Sequence, residues 1–146
     1  MSATMSDRAN GPMVSTPAAP LRVVMLLGGL DVGGAETQAI ALAAELQRHG
    51  HRVELIALAD GPLRAAIESH RLVLQVLTRV AGLALTAVPS LARRLSVSKP
   101  QVVYAFLEVQ WLLALAAASR MPIDKRPRVV LGLRTSDYDA RPAQLK

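Results

Sequence analysis

The residues best suited to chemistry lie in a glycine-rich segment near the start of the chain. Gly33 and Gly34 are followed directly by Ala35 and Glu36, where a short apolar run gives way to a stretch of helical period. Glycines at a helix start let a ligand approach the backbone, and the unpaired N–H groups there suit a phosphate or a sugar hydroxyl. A tight strand-to-helix turn would need the same two glycines. The segment therefore predicts either a binding loop or a turn alone.

Glu36 falls in the first turn of the predicted helix. A carboxylate there is stabilised by the helix dipole by about 0.3–1 kcal/mol, which would explain it as a structural cap. It could equally accept a hydrogen bond from a substrate hydroxyl, and both interpretations remain open.

The spacing of the glycines disfavours two classes of nucleotide-binding protein. The segment from Gly28 to Gly34 does not match the GxGxxG pattern of dinucleotide-binding enzymes. Gly28 and Gly33 have the spacing of a P-loop, but Gly34 and Ala35 stand where that loop needs Lys and Ser or Thr.

Three aromatic residues, Tyr104, Phe106 and Trp111, fall close together further along the chain. In a strand, Tyr104 and Phe106 share one face. Aromatic packing under a helix is the commoner outcome of such a pair, and a wall that contacts a sugar or a base is the alternative.

Two charged residues complete the candidate substrate-binding set. Glu108 follows the strand that carries the aromatic pair, and Arg134 follows the next strand. Arg134 is placed to meet an anion, although an ion pair with Asp137 or Glu108 would also explain it. The sequence identifies no catalytic residue and no metal site, because the histidines lack the spacing of metal ligands.

These residues are positioned by short apolar runs that alternate with helical stretches. The predicted helices are Ala35 to His49, Leu63 to His70, Ala84 to Ser96 and Val109 to Arg120, and the predicted strands are Arg22 to Leu27, His51 to Leu58, Leu72 to Leu77, Gln101 to Phe106 and Arg128 to Leu133. The alternation predicts an α/β fold with a doubly wound, Rossmann-like parallel sheet. In that fold strands one and four lie side by side, and ligands bind in the crevice at their carboxyl ends.

Composition sets further limits. The chain has 146 residues, 17 Lys and Arg against 11 Asp and Glu, a formal charge of +6 and no Cys, so one domain without disulfides or thiolate chemistry is expected. The charge favours anionic partners. Scattered basic residues and few aromatic side chains argue against nucleic acid. The apolar stretches are too short to span a bilayer.

Composition also divides the chain. Residues 1 to 20, rich in Ser, Thr, Ala and Pro, are predicted to be a disordered leader, residues 21 to 139 a single Rossmann-like domain, and residues 140 to 146 a tail.

The ordered set of segments GGLDVGGAETQ, HGHRVELIAL, KPQVVYAFLEVQWLLALAAA and RVVLGLRTSD resembles the N-terminal domain of family 4 glycosyltransferases of the GT-B fold, over residues 21 to 139. The resemblance implies transfer of a sugar with retention, from a nucleotide-sugar to a glycan or lipid-linked acceptor, in a cleft between two domains. Gly33 and Gly34 would approach the donor diphosphate, Glu36 would lie on the substrate side of the loop, and Arg134 would line the cleft.

The resemblance also has consequences for partners and location. A C-terminal donor-binding domain should follow the tail, and without it the chain alone should be inactive. No cofactor or metal is expected beyond the nucleotide-sugar. The expected location is the cytoplasm, with peripheral contact to anionic membrane at its inner face as an option.

One departure from the family concerns strand four. Many members have histidines at its end, where this chain has Tyr104 and Phe106. A histidine contact to the transferred sugar is therefore not carried over. Two alternatives remain: a non-catalytic Rossmann-like module that binds a phosphorylated ligand or a partner protein, and, more weakly, a nucleotide-dependent oxidoreductase.

Overall fold

The computed structural model describes residues 19–77 and 84–132. It contains strands β1 (Arg22–Leu27), β2 (Arg52–Ala57), β3 (Val73–Val76), β4 (Val102–Ala105) and β5 (Arg128–Leu131), with helices α1 (Gly34–Arg48), α2 (Arg64–Ser69), α3 (Val88–Ser98) and α4 (Glu108–Ser119). Short 3-10 turns occupy Ala84–Ala87 and Ile123–Lys125. Residues 1–18, Leu133, Arg134 and the tail lie outside the described residues, and so do the predictions made for them.

The strands form one parallel sheet in the order β3-β2-β1-β4-β5. The chain builds outward from β1 in one direction, then crosses over to β4 on its other side. This arrangement confirms the predicted doubly wound α/β fold and the adjacency of strands one and four.

β1 is buried on both faces because it lies at the centre of the sheet. Val24 and Leu26 pack into an apolar cluster with residues of α3 and α4. Met25 and Leu27 point the other way, into a second cluster formed with α1 and α2. An almost continuous apolar run is what a central parallel strand requires, since neither face meets water.

The helix ends have local causes. Pro89 stands in the first turn of α3, where its missing N–H costs nothing. Lys99 ends that helix in the left-handed region, with φ of 47°. Gly50 follows α1 with φ of +86°, a conformation that glycine adopts without strain.

The helices are also short relative to a lipid bilayer. Within the two described ranges, no helix combines the length and the apolar character needed to cross a membrane.

Candidate functional site

Two helices begin at the carboxyl edge of the sheet, where β1 and β4 end beside each other. The residue before α1, Gly33, has φ −146° and ψ 163°, and the residue before α4, Leu107, has φ −139° and ψ 164°. Both are extended, and neither forms a side-chain cap. The two helix starts therefore have the same geometry and flank the crevice predicted from the order of the elements.

The first N–H groups of both helices lie outside the helical hydrogen-bond pattern. The first helical bonds run from Thr37 N–H to Gly33 O and from Trp111 N–H to Leu107 O, each at 3.0 Å. Within the described residues, the N–H groups of residues 34 to 36 and 108 to 110 have no acceptor. Such groups carry the partial positive charge of the helix dipole, which attracts phosphates and other anions.

Gly33 and Gly34 differ in what surrounds them. A Cβ on Gly33 would collide with the Glu36 carboxylate, which folds back over this residue. A Cβ on Gly34 would meet nothing within 4 Å. A side chain at Gly33 would have to displace the flexible end of Glu36, whereas Gly34 leaves backbone open to approach, and the binding role of the pair stays a prediction.

Glu36 is half-buried in the first turn of α1. Within the described part of the chain its carboxylate has neither a hydrogen bond nor an ion pair. It is therefore available to accept a hydrogen bond from a hydroxyl group. Glu108 occupies the matching first turn of α4 and is exposed.

The aromatic pair lies on one face of β4, as its spacing predicts. Phe106 and Tyr104 contact edge to face, with ring centroids 4.8 Å apart and planes at 61°. Phe106 is only 2% exposed and packs in the cluster beneath α1 with Ile40 and Ala43. Its burial favours packing over a substrate-contacting wall, and its role in substrate binding stays a prediction.

Tyr104 reaches across to the end of β5. A Cβ on Gly132 would collide with the Tyr104 ring and hydroxyl, so this glycine makes room for the side chain. Tyr104 is half-buried and thus more exposed than Phe106. Arg134 and Asp137 follow Gly132 outside the described residues, and the predicted anion contact of Arg134 stays a prediction.

Gln110 belongs to this site and was not singled out from the sequence. It is 7% exposed, and its Oε1 atom is buried without a hydrogen-bond partner among residues 19–77 and 84–132. A Cβ on Gly28, at the end of β1, would stand 2.5 Å from Gln110 Nε2. The signal in the sequence is weak: one amide within an otherwise apolar helix, EVQWLLALAAAS.

The loop after β2 supports the loop after β1. Leu63 N–H donates to Leu30 O at 3.0 Å. Asp60 is held by Arg64, whose Nε and Nη2 donate to its carboxylate at 3.0 and 2.7 Å, and by the Gly61 N–H at 2.8 Å. The Arg64 hydrogen bonds, followed by the Gly61 bond, lower the pKa of Asp60 below its ordinary 3.8.

We expect the Asp60 carboxyl to titrate below pH 3.8 in the folded chain. A lowered folded pKa means that the stabilisation is present above the unfolded pKa and is lost as pH falls through the folded pKa. NMR titration of the carboxyl carbon measures the midpoint. Arg64→Met should raise the midpoint towards its ordinary value. Arg48→Met, which removes a separate ion pair with Glu45 at 2.6 Å, should leave it unchanged, and an unmoved Asp60 in Arg64→Met would contradict the assignment.

The opposite, amino edge of the sheet carries a groove of about 880 Å³. Its lining includes the basic residues Arg22, Lys99, Lys125, Arg126 and Arg128. Part of the positive charge of the chain is therefore remote from the crevice. In the described ranges, no group of three or more His, Asp or Glu side chains could hold a metal ion.

The chain is similar to known proteins in sequence pattern and in fold. A family model described as Glycosyltransferase Family 4 matches residues 32–145. HepE from Anabaena, solved in complex with UDP and glucose, is 20% identical with a TM-score of 0.57, over 75% of this chain and 28% of its own. A glycosyltransferase from Rickettsia africae is 11% identical with a TM-score of 0.61, over 76% of this chain and 29% of its own.

A search of curated proteins finds no significant match. The chain spans less than a third of the length of the solved structures it resembles. At these identities the likeness establishes the fold, a Rossmann-like half of the GT-B type.

Proposed function

Since the chain belongs to Glycosyltransferase Family 4, we propose that it is the N-terminal, acceptor-side half of an enzyme that transfers a sugar from a nucleotide-sugar to an acceptor with retention of configuration. The observation that carries the proposal is the pair of uncapped helix starts at the carboxyl ends of β1 and β4, one of them preceded by Gly33. The donor class is supported by the HepE structures, which are complexes with UDP and with UDP-glucose.

The head of α1 supplies hydrogen-bond donors to the donor diphosphate. Gly34 leaves the backbone accessible, and the N–H groups of residues 34 to 36 lack partners in the described structure. As the bond to the sugar breaks, negative charge grows on the leaving diphosphate. A fixed donor aimed at such charge is typically worth about 2.7–4 kcal/mol of transition-state stabilisation.

Side chains around the crevice bind the sugar-bearing substrates. The Glu36 carboxylate is unpaired and accepts a hydrogen bond from a hydroxyl, and Glu108 does the same from the start of α4. Tyr104 forms a wall at the β4–β5 side, with Phe106 behind it. From the family resemblance, Arg134 is proposed to meet an anion in the cleft.

The remaining parts of the proposal concern partners. A second Rossmann-like domain binds the nucleotide and closes the cleft, so the chain by itself is inactive. The acceptor is a glycan or a lipid-linked sugar. The enzyme works in the cytoplasm without a metal ion and touches anionic lipid at the inner face of the membrane.

Reconstitution tests the proposal. The coding sequence beyond Lys146 is read for a second α/β half with two Glu separated by seven residues, and the joined halves are assayed for hydrolysis of a panel of nucleotide-sugars. We expect hydrolysis of at least one donor by the joined protein and none by the 146-residue chain. A stop codon with no such half nearby, together with saturable binding of phosphorylated ligands, would favour the non-catalytic binding module instead.

A further inference from the structure

Gln110 presents a feature that the packing of the chain does not explain. It is the buried polar residue of the described structure, and its Oε1 atom lies enclosed with no hydrogen-bond partner. From its location we infer that Gln110 is a specificity-determining contact for a sugar hydroxyl in the crevice between β1 and β4, kept there at a cost to stability. The inference rests on the proposed function and names a residue for it.

Burial of the Gln110 carboxamide carries a cost in stability. A buried acceptor without a partner loses its hydrogen bonds to water and gains nothing in return. An apolar side chain of similar size would remove that penalty, and the residues around this position of α4, such as Leu113 and Ala114, are apolar and buried. The fold alone therefore favours leucine or methionine over glutamine here.

The Gln110 side chain lies at the carboxyl edge of the sheet. The side chain crosses the end of β1, because a Cβ on Gly28 would stand 2.5 Å from Gln110 Nε2. Gly28 is the residue that leaves room for it. Oε1 is fully enclosed, whereas Nε2, also without a partner in the described structure, is not, and it lies against Gly28 at the carboxyl end of β1.

The hydrogen-bonding groups of the carboxamide suit a sugar hydroxyl. The terminal torsion of a glutamine is broad, so rotation of the carboxamide can bring either Nε2 or Oε1 to the crevice. A carboxamide offers donors and an acceptor, and a sugar hydroxyl is itself both donor and acceptor. Glu36 and Glu108 stand at the same edge and add acceptors for neighbouring hydroxyls. This set of neutral amide and unpaired carboxylates fits a sugar ring better than a second phosphate.

The test replaces the amide by an apolar side chain of similar size. Gln110→Leu and the unbranched Gln110→Met are each expected to raise the Tm of the 146-residue chain by about 4 °C. They should also weaken sugar binding about tenfold, as measured by NMR titration with UDP-glucose, UDP and glucose. If the hydroxyl belongs to the donor sugar, affinity for UDP-glucose falls while that for UDP stays. If it belongs to the acceptor, affinity for glucose falls.

Gln101→Leu is the matched control. Gln101 lies at the amino edge of the sheet, where its Oε1 accepts the Arg22 N–H at 3.0 Å. Because that amide is paired and remote from the crevice, its replacement should lower Tm and leave every affinity unchanged.

Two outcomes would overturn the inference. Unchanged affinity for both UDP-glucose and glucose in either Gln110 variant would contradict the contact between Gln110 and a sugar hydroxyl. A lower Tm in both variants, with or without weaker binding, would make the carboxamide a support of the fold. If the unaltered chain binds neither UDP-glucose nor glucose, the assignment of sugar binding to this half fails; if it binds them and both Gln110 variants bind them equally well, only the Gln110 contact fails.

Discussion

Replacing Phe106 by alanine is expected to lower the free energy of unfolding by about 3–5 kcal/mol, because the ring is fully enclosed and its removal leaves a cavity. Phe106 is 2% exposed and packs beneath α1. It also stands immediately after β4, so its loss opens the core directly under the crevice. Urea denaturation of the 146-residue chain, followed by the fluorescence of the single Trp, measures the change.

Phe106→Leu and Tyr104→Phe serve as comparisons. Leucine fills much of the same volume and should cost less than alanine. Tyr104→Phe keeps the edge-to-face ring contact at 4.8 Å and removes only the hydroxyl, so its unfolding free energy should change by less than about 1 kcal/mol. A nearly unchanged stability in Phe106→Ala, with weakened sugar binding, would instead place this ring in the substrate wall.

Replacing Gly34 by valine is expected to abolish most of the activity of the reconstituted enzyme while sparing the fold. A side chain here extends into space that is empty in the structure, at the point where the N–H groups of α1 should meet the diphosphate. Loss of one such donor contact costs about 100-fold to 1000-fold in rate. Helix propensity slightly favours valine over glycine, so stability should be equal or higher.

Gly50→Ala is the control at the other end of the same helix. Gly50 also has nothing within 4 Å of a Cβ, but its φ of +86° is strained for any other residue. Alanine there should cost about 1–2 kcal/mol of stability with no effect on kcat/KM. Comparing the two variants thus separates a loss of ligand binding, expected for Gly34→Val, from a loss of stability through backbone strain, expected for Gly50→Ala. Full activity in Gly34→Val would contradict a role for this helix start.

The sheet could be predicted from the sequence because its signals are local and strong. The apolar run of β1 indicates burial on both faces, and alternation with helical stretches indicates parallel strands. For parallel strands joined by helices, the right-handed crossover rule leaves few possible strand orders. The adjacency of β1 and β4 could therefore be predicted. Most element ends differ by one or two residues: α1 begins at Gly34 because Gly33 keeps an extended conformation. The start of α3 differs by four, at Val88 rather than Ala84, because residues 84 to 87 form a 3-10 turn.

The site could be predicted only in part, because it depends on contacts between distant segments. Spacing shows that Tyr104 and Phe106 share a face, but burial beneath α1 decides that Phe106 belongs to the core. Nothing in the sequence indicates that the Glu36 carboxylate folds over Gly33 or that Gln110 lies against Gly28. These contacts depend on how the folded elements are placed in space, and local sequence patterns do not report that placement.

The most direct test of the central claim is to locate ligand contacts on the backbone. The 15N-labelled chain is titrated with UDP-glucose, and amide shifts are followed residue by residue. We predict saturable shifts for Gly34, Ala35 and Val109, at the starts of α1 and α4, with the amino-edge groove around Lys99 and Arg126 unchanged. Shifts confined to that groove, or no shift at the two helix starts at any ligand concentration, would contradict the account.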